Sequence, residues 1–355
     1  MSAKVVVGLS GGVDSAVAAF LLKEQGFDVI GLFMRNWREE DECGRCTADD
    51  DWYDVRRIAD ALKIDYYAED FSKEYYDRVF RHFVSEYEKG RTPNPDVLCN
   101  REIKFDVFAA FARAMGADYV ATGHYAAVSH GDRHLLLRSR DENKDQTYFL
   151  NQVTESQISN ALFPLGELKK GEVREIARKA GIPVWEKKDS TGICFIGERN
   201  FRRFLSEYIP MKPGDIVTTD GKVVGRHEGV YYYTIGQRKG LGVGGGGNGE
   251  PWFVVRKDIP ANRLIVTQGE SELLYANRLT VEDFHYISEE LPEGESRVTA
   301  RIRHRQPLQT ATAIREGRRV TVVFDKPQRA VAEGQYAVLY LERVCLGGGV
   351  IESKE

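Results

Sequence analysis

Residues 6–26, VVGLSGGVDSAVAAFLLKEQG, decide how the first half of the chain is read. The apolar run Val5–Gly8 stops at Ser10-Gly11-Gly12, and helical spacing of apolar residues begins at once, from Asp14 to Gln25. A strand that turns directly into a helix gathers backbone amides and the positive end of the helix dipole at one point. Glycines there let an anion come close. The hydroxyls of Ser10 and Ser15 add donors. Asp14 is unusual in a phosphate cradle and reads either as a helix cap or as a ligand of Mg²⁺. No Gly-Lys-Ser/Thr follows, so this is not a Walker loop.

Working outward, strands are expected at Val29–Met34, Tyr66–Glu69 and Tyr119–Thr122, and helices at Ala48–Leu62, Lys73–Glu88 and Lys104–Met115. Such alternation implies an α/β domain with a parallel sheet covered on both faces, and ligands gather at the carboxyl ends of its strands. After residue 208 the helical spacing vanishes. Strand-like segments such as DIVTTDGKVVGR, PWFVVRKD and RLIVTQ, then RVTARIRHR and QYAVLYLE, follow one another. The expected architecture is a nucleotide-binding catalytic domain over 1–208, a small central β-rich domain over 209–280 and a C-terminal β-barrel over 281–355. The Gly-rich stretch 240–249 reads as a loop.

Composition narrows the class. With 355 residues, 42% hydrophobic and 29% charged, the chain reads as an ordinary multidomain globular protein. No apolar run approaches the ~20 residues of a membrane span, and no signal-peptide pattern opens the chain. Five cysteines, an odd and sparse set, point to a reducing cytoplasm. A net charge of −4 excludes a globally basic polyanion binder. Any RNA partner must meet local patches such as RIRHR (301–305) or REGRR (315–319).

Two cysteines stand in polar loops. In GRTPNPDVLCNREIKF, two prolines bar a helix before Cys99, and a helix is expected from about Asn100. Cys99 would then lie at a helix N-terminus beside Arg101 and Lys104, a setting that lowers a thiol pKa. KKDSTGICFIG places Cys194 just before another helix, after Lys187 and Lys188. Cys43 and Cys46 form CGRC with no second pair at zinc-finger spacing and read as a solvent loop, while Cys345 reads as core.

The opening loop resembles that of the ATP pyrophosphatases. Together, TPNPDVLCN, EIKF, ATGHYA (121–126), KDQTYFL (144–150), DSTGICFIGERNFR and YYTIGQRKGLG (232–242) resemble the bacterial tRNA-specific 2-thiouridylases, collinearly along nearly the whole chain. The resemblance implies ATP- and Mg²⁺-dependent adenylation of the 2-carbonyl of the wobble uridine in tRNAs for Lys, Glu and Gln, followed by replacement of that oxygen with sulfur. ATP would lie against Gly8, Leu9, Ser10, Gly11, Gly12, Val13, Asp14 and Ser15, flanked by Met34 and Gly123. Cys194 would carry a persulfide delivered by a sulfur-donor protein, Cys99 would close a disulfide with it, and Asp96 would act as general acid or base. Asn94, Pro95 and Asp96 would contact the flipped base. His124, Lys144, Asp145, Gln146, Arg303, His304 and Gln335 would face tRNA. Three rivals stand beside this reading. Asp96, Cys99 and Cys194 could ligate an iron–sulfur cluster, the chain could be an amidating pyrophosphatase, or it could be a non-catalytic tRNA binder.

Overall fold

A computed structural model describes residues 2–37, 47–189, 201–244 and 248–355. Five strands form a parallel sheet: β1 (Lys4–Gly8), β2 (Asp28–Arg35), β3 (Asp65–Asp70), β4 (Tyr119–Ala121) and β7 (Ala161–Leu162), in the order β3-β2-β1-β4-β7. β1 is central, and Val5, Val6 and Val7 are each 0% exposed, which is why its sequence is continuously apolar rather than alternating. Its neighbours on the two sides, β2 and β4, leave it in opposite directions. A crevice therefore opens beyond the carboxyl end of β1. The helix Val13–Glu24 starts there, and its buried Ala16, Ala18 and Ala19 let it lie close to the sheet.

The segment leading to Cys99 differs from expectation. A helix begins at Pro95, not near Asn100: Asn94 Oδ1 accepts the Asp96 N–H at 3.2 Å, and proline occupies the first turn, where its missing N–H costs nothing. The helix runs on through a wide π-type stretch, Cys99–Val107, into Phe108–Ala114. Cys99 thus sits inside a helix rather than at its N-terminus.

The middle of the chain forms a four-stranded sheet in the order Trp252–Asp258, Arg263–Gln268, Gly214–Thr218, Val223–His227. Among the described residues the C-terminal part supplies eight strands of an antiparallel, ten-stranded sheet. The hairpin β5 (Ala126–His130) and β6 (His134–Arg138) joins this sheet through Leu137 opposite Val344, so the nucleotide-binding half lends two strands to the C-terminal one. Among the described residues no helix is long and apolar enough to cross a membrane.

A second bond between the halves is ionic. Arg301 Nη1 donates to Asp145 Oδ2 at 2.8 Å, with side chains 3% and 0% exposed. Ser139 N–H and Thr147 Oγ1 also donate to Asp145. Breaking a buried pair leaves an uncompensated charge and costs about 3–5 kcal/mol. We expect Arg301→Ala and Asp145→Ala each to destabilise the protein by about that amount in urea unfolding, and the double variant by much less than the sum. Additive losses would show that the two groups do not depend on one another.

Candidate active site

The loop after β1 is held by its own hydroxyls and by two close backbone approaches. Ser15 Oγ accepts the Ser10 N–H at 3.2 Å and donates to the Gly12 carbonyl at 3.1 Å. Gly11 has φ +72°, and a Cβ there would lie 2.7 Å from the Asp51 carbonyl. A Cβ at Gly123 would lie 2.6 Å from Ser15 N. Gly123, at the end of β4, therefore presses against the first turn of the helix. At Gly8 a Cβ would meet Met34 Cε and Phe108 Cζ at an ordinary 3.6 Å. Leu9 and Val13 are core residues beneath the loop. The helix is capped by Gly12 without any side-chain bond, so the first-turn amides stay unsatisfied by side chains, as an anion site requires.

Asp14 is not the cap. It lies within the first turn, and its carboxylate accepts Tyr125 OH at 3.0 Å and Lys170 Nζ at 2.7 and 2.8 Å. Burial, then the Asp14 charge, pushes the Tyr125 phenol up, so it remains a donor. Lys170 also reaches Asp189 at 2.7 Å, where Arg174 donates at 3.0 Å and Lys144 makes a third bond. Burial works to raise the Asp189 carboxyl, but hydrogen bonds from Lys144 and Lys170 outweigh it and hold the group well below the usual carboxylate range. On the other side Lys187 donates to the Gly11 carbonyl at 3.2 Å, to Asp51 at 2.9 Å and to Asp54 at 2.8 Å, bracing the loop. Tyr125, Lys170, Arg174 and Asp189 were not legible as site residues.

Cys99 is 0% exposed, and burial pushes its thiol up to about 12, against the opposing pull of Lys104 and with a smaller rise from Asp96. The expected activation by a helix N-terminus is overturned, because the helix starts earlier and the thiol is enclosed. Asn94, Pro95 and Leu98 line a narrow cleft with Phe83, Gly334 and Tyr336, between this helix and the C-terminal unit. Asp96 follows Pro95 on the first turn of that helix. Cys194, Cys43 and Cys46 lie outside the described residues. Among the described residues no group of three His, Cys, Asp or Glu is placed to hold a metal.

The residues expected to face tRNA are mostly turned inward. Asp145 is the buried partner of Arg301 and offers no surface to RNA, a correction forced by its desolvation and full pairing. Lys144 is engaged by Asp189, and Gln146 Oε1 accepts the Tyr125 N–H at 2.8 Å. His124 is buried and shares a hydrogen bond with Thr122 Oγ1 at 2.7 Å; burial, then Lys104, holds its ring well below its ordinary pKa. Gln335 donates to the Thr92 carbonyl at 2.7 Å. Arg303 is neither a solvated face nor free, since it donates to the carbonyls of Ala330 (2.9 Å) and Ile235 (3.3 Å). His304 lies 4.4 Å from the Phe149 ring, and burial, then Arg305, lowers it to about 4, so it is neutral at pH 7.

A parallel sheet with a glycine-lined anion loop at its switch point defines the nucleotide-binding class, and family comparison agrees. Residues 3–198 match the tRNA methyl transferase HUP domain, 202–268 the tRNA methyl transferase PRC-barrel domain, and 276–351 the aminomethyltransferase beta-barrel domain. The chain is 56% identical over 352 residues to the tRNA-specific 2-thiouridylase MnmA of Alkaliphilus oremlandii, covering 98% of this chain and 97% of that one. It is 55% identical over 353 residues to the enzyme of the same name from Bacillus subtilis, covering 98% and 95%. The chain belongs to the tRNA-specific 2-thiouridylase family.

The backbone approach at Gly123 gives a direct check. We expect Gly123→Ala to leave the fold cooperative but to weaken ATP binding by at least about tenfold, because the first helical turn must shift to admit the methyl group. Calorimetric titration with ATP measures this, and unchanged affinity would move the nucleotide away from the end of β4.

Proposed function

We propose that this protein uses ATP to replace the 2-carbonyl oxygen of the wobble uridine in tRNAs for Lys, Glu and Gln with sulfur, releasing AMP and pyrophosphate. The observation that supports this most is the cradle itself: uncapped helix amides, two serine hydroxyls and glycine backbone at the switch point, in a chain whose relatives are thiouridylases. The uridine oxygen would attack the α-phosphorus and expel pyrophosphate into the loop. The terminal sulfur of a Cys194 persulfide would then attack C2 and expel AMP, leaving the base bonded through sulfur to Cys194. Cys99 thiolate attack on the Cys194 sulfur would release the thiolated base and close a disulfide, which a reductant must reopen.

Asp14 is the carboxylate that would hold Mg²⁺, since one carboxylate together with substrate phosphates is a usual set for that ion. The ion would supply charge neutralisation at the phosphates. Tyr125 orients Asp14, and Ser10 and Ser15 offer hydroxyls to phosphate oxygens. Cys99 would stay sealed and protonated until bound RNA displaces what covers it. Keeping the thiol neutral at rest protects it from wasteful exchange.

Mass analysis of tRNA nucleosides after incubation with ATP, Mg²⁺ and a persulfide donor tests the reading. Wild type is expected to form 2-thiouridine only when ATP is present, Asp14→Asn to form almost none, and Cys99→Ser to lose thiolation while keeping tRNA-dependent pyrophosphate release. Methylated uridine in place of the thiolated base, or thiolation without ATP, would refute it.

A further inference from the structure

The chain reaches the helix of Cys99 by a short, stiff bridge, and the far end of the sequence holds that bridge. The helix Arg81–Glu88 is capped by Lys89, and Gly90 takes φ +78° as the chain turns away. Arg91 and Thr92 follow, then Pro93 and the cap Asn94, and the next helix begins at Pro95. Each proline fixes its own φ, and Asn94 is tied to the Asp96 N–H, so little play remains between Thr92 and Cys99. Where Thr92 is placed, Asp96 and Cys99 follow.

Thr92 is placed by the C-terminal unit. Its N–H donates to the Glu333 carbonyl at 2.9 Å, and its carbonyl accepts Gln335 Nε2 at 2.7 Å. Between those contacts Gly334 takes φ +88°, and a Cβ there would lie 2.8 Å from both Arg91 Cβ and Thr92 N. Arg91 completes the grip, with Nη1 donating to Glu352 Oε1 at 3.1 Å and Nη2 to Glu352 Oε2. Nη1 also reaches Glu86 Oε2 at 3.4 Å, on the helix just left behind, so the guanidinium bridges the two units. The receiving turn is itself braced, because Gly334 N–H donates to the Ile351 carbonyl and Ile351 N–H to that of Gln335. Asn94, Pro95 and Gly334 line one narrow cleft, so the grip lies beside the residues expected to hold the base.

Stability alone does not account for this ion pair. The Arg91 and Glu352 side chains are 27% and 31% exposed, and pairs open to water contribute little. What a forked guanidinium–carboxylate contact supplies is geometry, since both N–H groups must align at once. We propose that Arg91 is a positioning residue of the thiolation reaction, holding the segment Asn94–Cys99 in register with the C-terminal unit through Glu352. RNA resting on that unit then presents its uridine at Asp96 and Cys99 rather than beside them. The proposal rests on the thiolation proposed above and on the reading of Asp96 and Cys99 as its reacting groups.

Steady-state thiolation and tRNA-dependent pyrophosphate release, measured alongside tRNA affinity and urea unfolding, separate a positioning residue from a strut. A displacement on the order of an ångström at the reacting groups predicts that Arg91→Ala lowers kcat for both reactions about 10- to 100-fold. Its KM for tRNA, its tRNA affinity and its unfolding midpoint should stay close to wild type. Arg91→Lys should recover only part of the loss, because an ammonium cannot make the forked contact. Glu352→Ala should lower kcat by a similar factor, and the double variant should be no worse than Arg91→Ala, as two groups acting through one contact require. If Arg91→Ala does not fold, Glu352→Ala carries the same test. Weakened tRNA binding with kcat intact would make Arg91 an RNA ligand, a fall in kcat matched by a fall in the unfolding midpoint would make it a strut, and unchanged kcat would remove it from the reaction; each overturns the proposal. Wild-type protein that forms no 2-thiouridine would instead overturn the thiolation on which the proposal stands.

Discussion

The buried pair between Asp145 and Arg301 is the constraint on which the site depends. It fixes the short segment 144–148 against the C-terminal sheet, and the neighbours of Asp145 then reach in two directions. Gln146 holds the Tyr125 backbone, whose phenol orients Asp14 in the anion loop, while Lys144 joins Asp189. The hairpin Ala126–Arg138 adds a backbone-paired path between the same two units through the ten-stranded sheet. An ion pair sealed from water is a costly device, and its frequent justification is register rather than stability. Here it sets the register between the unit that would bind ATP and the unit that bears Arg303 and His304.

Two opposite uses of desolvation follow from that arrangement. Around the loop, charges are half-buried and cross-paired, and hydrogen bonds from Lys144 and Lys170 hold the Asp189 carboxyl well below the usual carboxylate range. At Cys99 the same enclosure has no counter-charge strong enough to compensate. With the thiol pushed up to about 12, it stays protonated at pH 8. Lys104 pulls the other way, and it is outweighed. Under the proposed mechanism, sulfur chemistry at this residue would have to begin with a change in its surroundings.

How much of this was legible in the sequence depends on the range of the interactions. The parallel sheet and the anion loop were readable, because a fully apolar strand followed by Ser-Gly-Gly and helical spacing is a local signal. The start of the Cys99 helix was misjudged from two prolines, since Pro95 at the first helical position favours a helix rather than barring it and Asn94 completes the cap. That single shift converts an activated thiol at a helix end into a sealed one. Asp145 stands in a motif assigned to RNA, but its partner is 156 residues away, a separation over which no sequence pattern reports. Lys170 and Asp189 were hidden for the same reason: each is an ordinary surface-type residue until the fold sets it beside Asp14.

The central claim is an ATP-dependent thiolation in which Cys99 is closed at rest and opened by the RNA substrate. Iodoacetamide labelling of Cys99 at pH 8, followed by peptide mass analysis with and without tRNA and ATP, addresses it directly. The account predicts labelling at least about a hundredfold slower than a free thiol in the protein alone, and marked acceleration when tRNA binds. Rapid labelling of the resting protein, or a slow rate that tRNA leaves unchanged, would contradict it.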